Sequence, residues 1–200
     1  MARRRYFRPP RNTILIICEG ETEKIYFENL RTVERTPEIN LKPMLPGHRT
    51  DCLSIVEQAI KQKSNYDQIW CVYDLDSAYK DRKKYKKAVE KAEKKKIETV
   101  ESHPCFEIWF LLHFIYSSRR FENCKQVIQL LKKYIKDYSK NQEYHSRKNL
   151  YAELRPKLLN AINNSVRLEK YNSENVIITG SQSDMYKIIK KVLPGLKKSN

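Results

Sequence analysis

Two short apolar runs constrain this chain most. Thr13–Cys18 (TILIIC) and Gln68–Tyr73 (QIWCVY) are rich in β-branched and aromatic residues and lack polar alternation, so each reads as a strand buried on both faces. Such strands need helices above and below them, and the intervening segments have helical periodicity. From about Thr22, the residues Tyr26, Phe27, Leu30 and Val33 recur at helical spacing. Ile39–Leu45 alternates like a strand and stops at Pro46-Gly47. Asp51 caps a helix whose inward face is Leu53, Val56 and Ile60.

The pattern continues past the second run. Tyr85, Ala88, Val89 and Ala92 give a helix with a narrow apolar stripe and a wide lysine face. Ile97–Glu101 is a fourth, weaker strand. Pro104 suits the first turn of a helix, and Cys105–Tyr116 is apolar nearly all round, so that helix is expected to be buried. Beyond it, Phe121–Tyr138 and Lys148–Leu168 read as amphipathic helices around a polar stretch, Ser139–Arg147. Val176–Thr179 reads as a short strand, Gly180–Ser183 as a turn, and Met185, Ile189, Val192 and Leu193 mark a last helix. The expectation is an α/β fold: a parallel sheet of about four strands flanked by helices. It divides into a basic arm (1–12), an α/β core (13–118) and a mainly helical C-terminal extension packed on the core (119–200).

Charge narrows the function. Forty Lys and Arg stand against 24 Asp and Glu, a formal +16 on 200 residues. Five arginines and no acid occupy the first eleven residues, and ten basic residues against four acidic ones fill Tyr79–Glu98. A polyanion, nucleic acid first, is the expected partner. A membrane surface fits less well, since the lysine-rich helix has few and small apolar residues. No apolar run approaches the roughly 18 residues of a membrane span. The basic start, followed by Pro9 and Pro10, lacks the apolar stretch of a signal peptide. Five cysteines without a C-x-x-C pair encode neither a disulfide framework nor a zinc site, which fits a reduced, cytoplasmic setting.

In a parallel sheet, ligands bind at the C-terminal rim of the strands. Two acidic clusters fall there: Glu19-Gly20-Glu21 after the first strand and Asp74-Leu75-Asp76 after the third. In an extended segment, Asp74 and Asp76 would face the same way. Carboxylates gathered on a basic protein suit Mg²⁺ or Mn²⁺, which take oxygen ligands and share their shell with substrate phosphate.

These residues carry a family resemblance. ILIICEGETEKIYFENL resembles the opening of a Toprim domain, VYDLD is similar to that fold's D-x-D strand end, and SHPCFEIWFLLHF resembles a third block of the RloB family of bacterial restriction-locus and abortive-infection proteins. The three blocks follow the family's order. The resemblance implies a Toprim-like core and a Mg²⁺-dependent nuclease acting in phage defence beside a partner ATPase. It makes Glu19 the catalytic glutamate, acting as general acid/base or linked to metal. It makes Asp74 and Asp76 catalytic metal ligands, and Glu107 a ligand for a second metal. Glu23 and Glu21 are further candidates. His103 stands where the family would have a small amide, and reads as an exposed loop residue. His113 lies about 120° round the helix from Glu107 and reads as a core or edge histidine.

Nucleic acid is expected along Lys83, Lys84, Lys87 and Lys91 and the arginine arm, Arg3, Arg4 and Arg5. Two alternatives stay open at this point. One is a stand-alone RNA-processing enzyme similar to the small Toprim ribosomal-RNA maturases. The other is a non-catalytic basic module whose binding would ignore both EDTA and the loss of Glu19. Oligomeric state is not legible.

Overall fold

The computed structural model describes residues 12–36, 38–47, 50–176 and 180–196. The two apolar runs form the centre of the sheet. β1 (Asn12–Cys18) and β3 (Gln68–Asp74) run parallel, with Ile14 opposite Gln68 and Cys18 opposite Val72. β2 (Ile39–Met44) joins the outer edge of β1, and β4 (Glu98–His103) that of β3, both in parallel. A two-residue strand, β5 (Gln182–Ser183), closes the order β2-β1-β3-β4-β5 and is antiparallel to β4. The α/β class and the four parallel strands match the sequence expectation.

Strand alternation sorts the core into two layers. Ile14, Ile16, Cys18, Trp70, Val72 and Val100 pack on one face, while Leu15, Ile17, Ile69, Cys71 and Tyr73 pack on the other. The first face is covered by α1 (Glu21–Glu34), α5 (Glu107–Leu112) and the C-terminal helices. The second is covered by α2 (Cys52–Gln62), α3 (Leu75–Lys80) and α4 (Arg82–Lys95). Asp51 caps α2 by accepting the Ser54 N–H at 3.3 Å, and Asp81 caps α4 by accepting that of Lys84 at 3.0 Å; such caps contribute about 1 kcal/mol each. The buried face of α2 is rotated from the expected one: Cys52, Ile55, Val56 and Ala59 are buried, and Leu53 and Ile60 lie at its margin.

The C-terminal half departs further from expectation. The segment read as one helix, Phe121–Tyr138, is helical only in α6 (Cys124–Leu131), and continues as turns in which Leu131 O accepts from Tyr134 and Ile135. Val127, Leu131, Ile135 and Tyr138 stay buried, so the apolar spacing survives the change of backbone. Lys148–Leu168 is broken at Arg155–Lys157, because Pro156 has no N–H to give and crowds the preceding turn. The result is α8 (Leu150–Leu154) and α9 (Leu158–Glu174), with α7 (Gln142–Arg147) formed in the stretch read as merely polar. α5 is shorter than Cys105–Tyr116, and Pro104 lies ahead of it rather than in its first turn. Gly180–Ser183 is not a simple turn, since it supplies β5, and α10 (Met185–Val192) is the expected last helix. Most of the proposed strand Val176–Thr179, and the arm with Arg3, Arg4 and Arg5, lie outside the described residues. Among the described residues no helix is long and apolar enough to cross a membrane.

His103 is not an exposed loop residue. It ends β4, is buried, and its Nδ1 lies 3.1 Å from the carbonyl of Gly180, because β5 folds against that strand end.

Candidate active site

β1 ends at Cys18, and the backbone N–H of Glu19 still donates to Val72 O at 2.9 Å, which holds the residue at the rim. Its Oε2 accepts the backbone N–H of Asp74 at 2.8 Å, so the two candidate carboxylates stand side by side on adjacent strand ends. Gly20 follows with extended backbone, and its value here is space. A Cβ on it would meet Oε2 of Glu23 at 3.0 Å.

Glu23 sits on the buried stripe of α1, one turn ahead of Tyr26 and Phe27, and is 6% exposed. Glu21, two residues earlier and round the helix, is partly exposed and paired with Lys24 at 3.5 Å. Glu107 opens α5, whose six residues are all buried, and is itself 0% exposed. A buried carboxylate needs partners. Glu107 Oε1 accepts the Tyr138 hydroxyl at 2.8 Å and pairs with Lys140 Nζ at 3.0 Å.

These groups act on one another electrostatically. Burial, then the neighbouring charges of Glu107 and Glu19, push the Glu23 carboxyl up to about 7, against a backbone hydrogen bond and Lys140 that favour its ionised form. Asp74 is raised well above the usual carboxylate range, first by burial and then by Glu23, Glu19 and Glu107. Burial opposes the charge on Lys140, but Glu107, Asp74 and Glu23 outweigh it and raise its pKa. Glu19 just after β1, Glu23 on α1, Asp74 at the end of β3 and Glu107 on α5 therefore act on one another at one rim, with the partly exposed Lys140 as their counter-charge.

Asp76 is placed differently from the expected extended D-x-D. The chain turns at Leu75, which is 1% exposed in the second core layer, and Asp76 falls in the first turn of α3. There it pairs with Lys80 at 3.6 Å, and its charge acts on His103. Lys83, Lys84, Lys87 and Lys91 are exposed along α4, with Lys84 paired to Asp81 and Lys91 to Glu57. His113 is a core histidine, as expected, with Nδ1 2.9 Å from Trp109 O.

Sequence reasoning missed Lys140 and Tyr138. Tyr138 read as the apolar end of a helix, and Lys140 as one residue of a polar stretch. Nothing in their spacing points to Glu107, more than thirty positions upstream.

The expectation of unpaired cysteines also needs correction. Cys105 and Cys124 form a disulfide, their Cα atoms 5.6 Å apart, because α6 brings Cys124 back to the start of α5; Cys18, Cys52 and Cys71 are free and buried. Cys105, Glu107 and Cys124 place ligand atoms within 4.8 Å of one another, a group that could hold a metal, but the disulfide removes its thiolates. That is the one group so closely gathered among the described residues; the rim carboxylates are hard oxygen donors, the type that Mg²⁺ and Mn²⁺ take.

The family model for RloB-like protein matches residues 14–192, from β1 to the end of α10. No curated protein and no solved structure matches the chain. The family match takes in the acidic strand ends and also the segment that brings Tyr138 and Lys140 to them, and on it the chain belongs to the RloB-like family.

Proposed function

We propose that this chain is a Toprim-type nuclease that requires Mg²⁺ or Mn²⁺ and hydrolyses phosphodiester bonds in RNA or DNA. The observation that carries the reading is the convergence of Glu19, Glu23, Asp74 and Glu107 on one strand-end rim of a protein with a formal charge of +16. Left to themselves, these carboxylates repel one another and the substrate.

In this reading Asp74, Glu23 and Glu107 would hold the cation as oxygen donors, with Glu19 beside Asp74 to take or give a proton at the scissile phosphate. A divalent cation bound there polarises a phosphoryl oxygen and lowers the pKa of attacking water. Lys140 brings a positive charge to the solvent side of the rim, where a phosphate would arrive. Asp76 stands in the first turn of α3, where it pairs with Lys80 and its charge acts on His103, and in this reading it takes no share in the cation. The resemblance to restriction-locus and abortive-infection proteins supports cytoplasmic work in phage defence beside a partner ATPase.

Calorimetric titration of the full chain with Mn²⁺ tests the reading without knowledge of the substrate. Binding that competes with Mg²⁺ is expected. No heat of binding at any accessible concentration would overturn the reading and favour a non-catalytic nucleic-acid module.

The substrate backbone is proposed to track α4, whose exposed Lys83, Lys84, Lys87 and Lys91 lie at i, i+1, i+4 and i+8 on one side of the helix. Reversing Lys83, Lys84 and Lys87 to Glu should weaken binding for every sequence. It should also flatten the dependence of log K on log salt by about 2–3, near 0.7–0.9 for each phosphate no longer neutralised. Unchanged affinity in filter binding would move the footprint elsewhere.

A further inference from the structure

Cys105 lies two residues ahead of α5 and is 2% exposed, whereas Cys124 is the first residue of α6 and only partly buried. Cys124 is therefore the more exposed partner of the pair and the side from which an outside thiol would approach. It lies 3.1 Å from Oε2 of Glu107 and 3.5 Å from Nζ of Lys140. Both protein donors to Glu107 described above, the Tyr138 hydroxyl and the Lys140 ammonium, go to its other oxygen, Oε1. In the disulfide, Oε2 faces a sulfur with no hydrogen to give; a thiol at the same distance is an S–H donor aimed at a fully buried carboxylate. In a reducing compartment, moreover, disulfides are mostly transient, catalytic or redox-sensing.

We propose that Cys105–Cys124 is a reversible thiol–disulfide site, reduced by an external dithiol, whose state sets the hydrogen bonding of Glu107. One thiolate of the dithiol attacks Cys124 Sγ; a mixed disulfide forms and the Cys105–Cys124 bond breaks. Cys105 leaves as a thiolate and takes a proton. The second thiol of the reductant then attacks the mixed disulfide, Cys124 departs and is protonated, and the reductant ends as a disulfide. Two electrons and two protons pass to the protein. Reduction unties α6 from the β4–α5 junction and gives Oε2 of Glu107 a donor. Any effect on cation binding rests on the proposed role of Glu107 in the acidic rim, but the coupling between the thiol pair and Glu107 does not.

The test is an equilibrium titration of the full chain in dithiol/disulfide buffers at about pH 6, where a thiol of ordinary pKa is protonated. The mixture is quenched with acid and the cysteines alkylated after denaturation. Cys18, Cys52 and Cys71 react throughout, so the count should move from three to five in one reversible transition. Glu107→Gln should shift that equilibrium about tenfold toward the disulfide, or ~30 mV for a two-electron couple, because a neutral amide is a weaker acceptor than a carboxylate. Tyr138→Phe removes a competing donor from the same carboxylate and should shift it the other way, which keeps the test decisive if Glu107→Gln fails to fold.

Five reactive cysteines at every oxidising poise, or midpoints that neither substitution moves, would overturn the proposal. Loss of this coupling in a chain that still binds Mn²⁺ sinks the switch alone. Intact coupling in a chain that binds no Mn²⁺ supports the switch and sinks only the cation reading.

Discussion

Asp74→Asn is expected to abolish calorimetric Mn²⁺ binding and to lower cleavage by on the order of 10³-fold, while Asp76→Asn leaves both within about twofold. The contrast follows from placement. Asp74 is raised well above the usual carboxylate range, first by burial and then by the charges of Glu23, Glu19 and Glu107, with Lys140 acting the other way. A cation held there contributes several kcal/mol of charge stabilisation, and each 1.36 kcal/mol is a tenfold change in rate. Asp76 forms an i,i+4 pair with Lys80 on a side chain 47% exposed, an interaction of the kind that contributes little. Without divalent cation, Asp74→Asn should also raise the thermal midpoint at neutral pH, because it removes a carboxyl that the folded chain holds protonated against its ordinary tendency to ionise. Wild-type Mn²⁺ affinity in Asp74→Asn would remove Asp74 from the site. Equal losses in the two variants would show both aspartates sharing one ligand after all.

The α/β architecture was legible because the physics behind it is local. Ile14–Cys18 is buried without interruption, and only a strand covered on both faces satisfies such a run. The placement of Glu19 and Asp74 side by side at the strand ends was legible for a related reason, since each directly follows a run that ends at the C-terminal rim of the sheet. Asp76 was not, because D-x-D reads equally well as the tail of a strand or the first turn of a helix. The decision between them comes from Leu75, buried in the second core layer. Glu23 carried a signal that was underused: a carboxylate three and four positions ahead of Tyr26 and Phe27 stands on the apolar stripe and must be buried with it.

What stayed hidden is long-range. Tyr138 and Lys140 reach Glu107 because the chain doubles back after α5, and neither periodicity nor capping encodes that return. The same return brings Cys124 to Cys105 across 19 residues, so the absence of a C-x-x-C motif said nothing about their pairing. The breaks in the C-terminal helices divide in the same way. Pro156 announces one of them locally, whereas the turns after Leu131 preserve the helical spacing of buried residues and are invisible to a reading based on it.

His113 should make the fold sensitive to acid. The ring is fully buried at the end of α5, Nδ1 lies 2.9 Å from Trp109 O, and Nε2 has no hydrogen-bond partner among the described residues. Burial pushes its pKa down to about 4, more than the nearby carbonyls of Trp109 and Phe110 can offset. In the unfolded chain it titrates near 6.5. Between these values the unfolded state holds more protons than the folded one, so stability is complete above about pH 6.5 and is lost as the pH falls toward about 4. A shift of this size corresponds to about 3 kcal/mol. His113→Phe keeps an aromatic ring and removes the titration, at a cost of about 1 kcal/mol for the hydrogen bond to Trp109 O. Wild type should therefore be the more stable protein by about 1 kcal/mol near pH 7.5, and the less stable one by about 2 kcal/mol near pH 4, with the curves crossing between. Glu23 and Asp74 titrate abnormally too, but they are common to both proteins and cancel in the difference. Urea unfolding of the two chains across that range is the measurement, and parallel stability curves would show that His113 is protonated in the folded protein as readily as in the unfolded one.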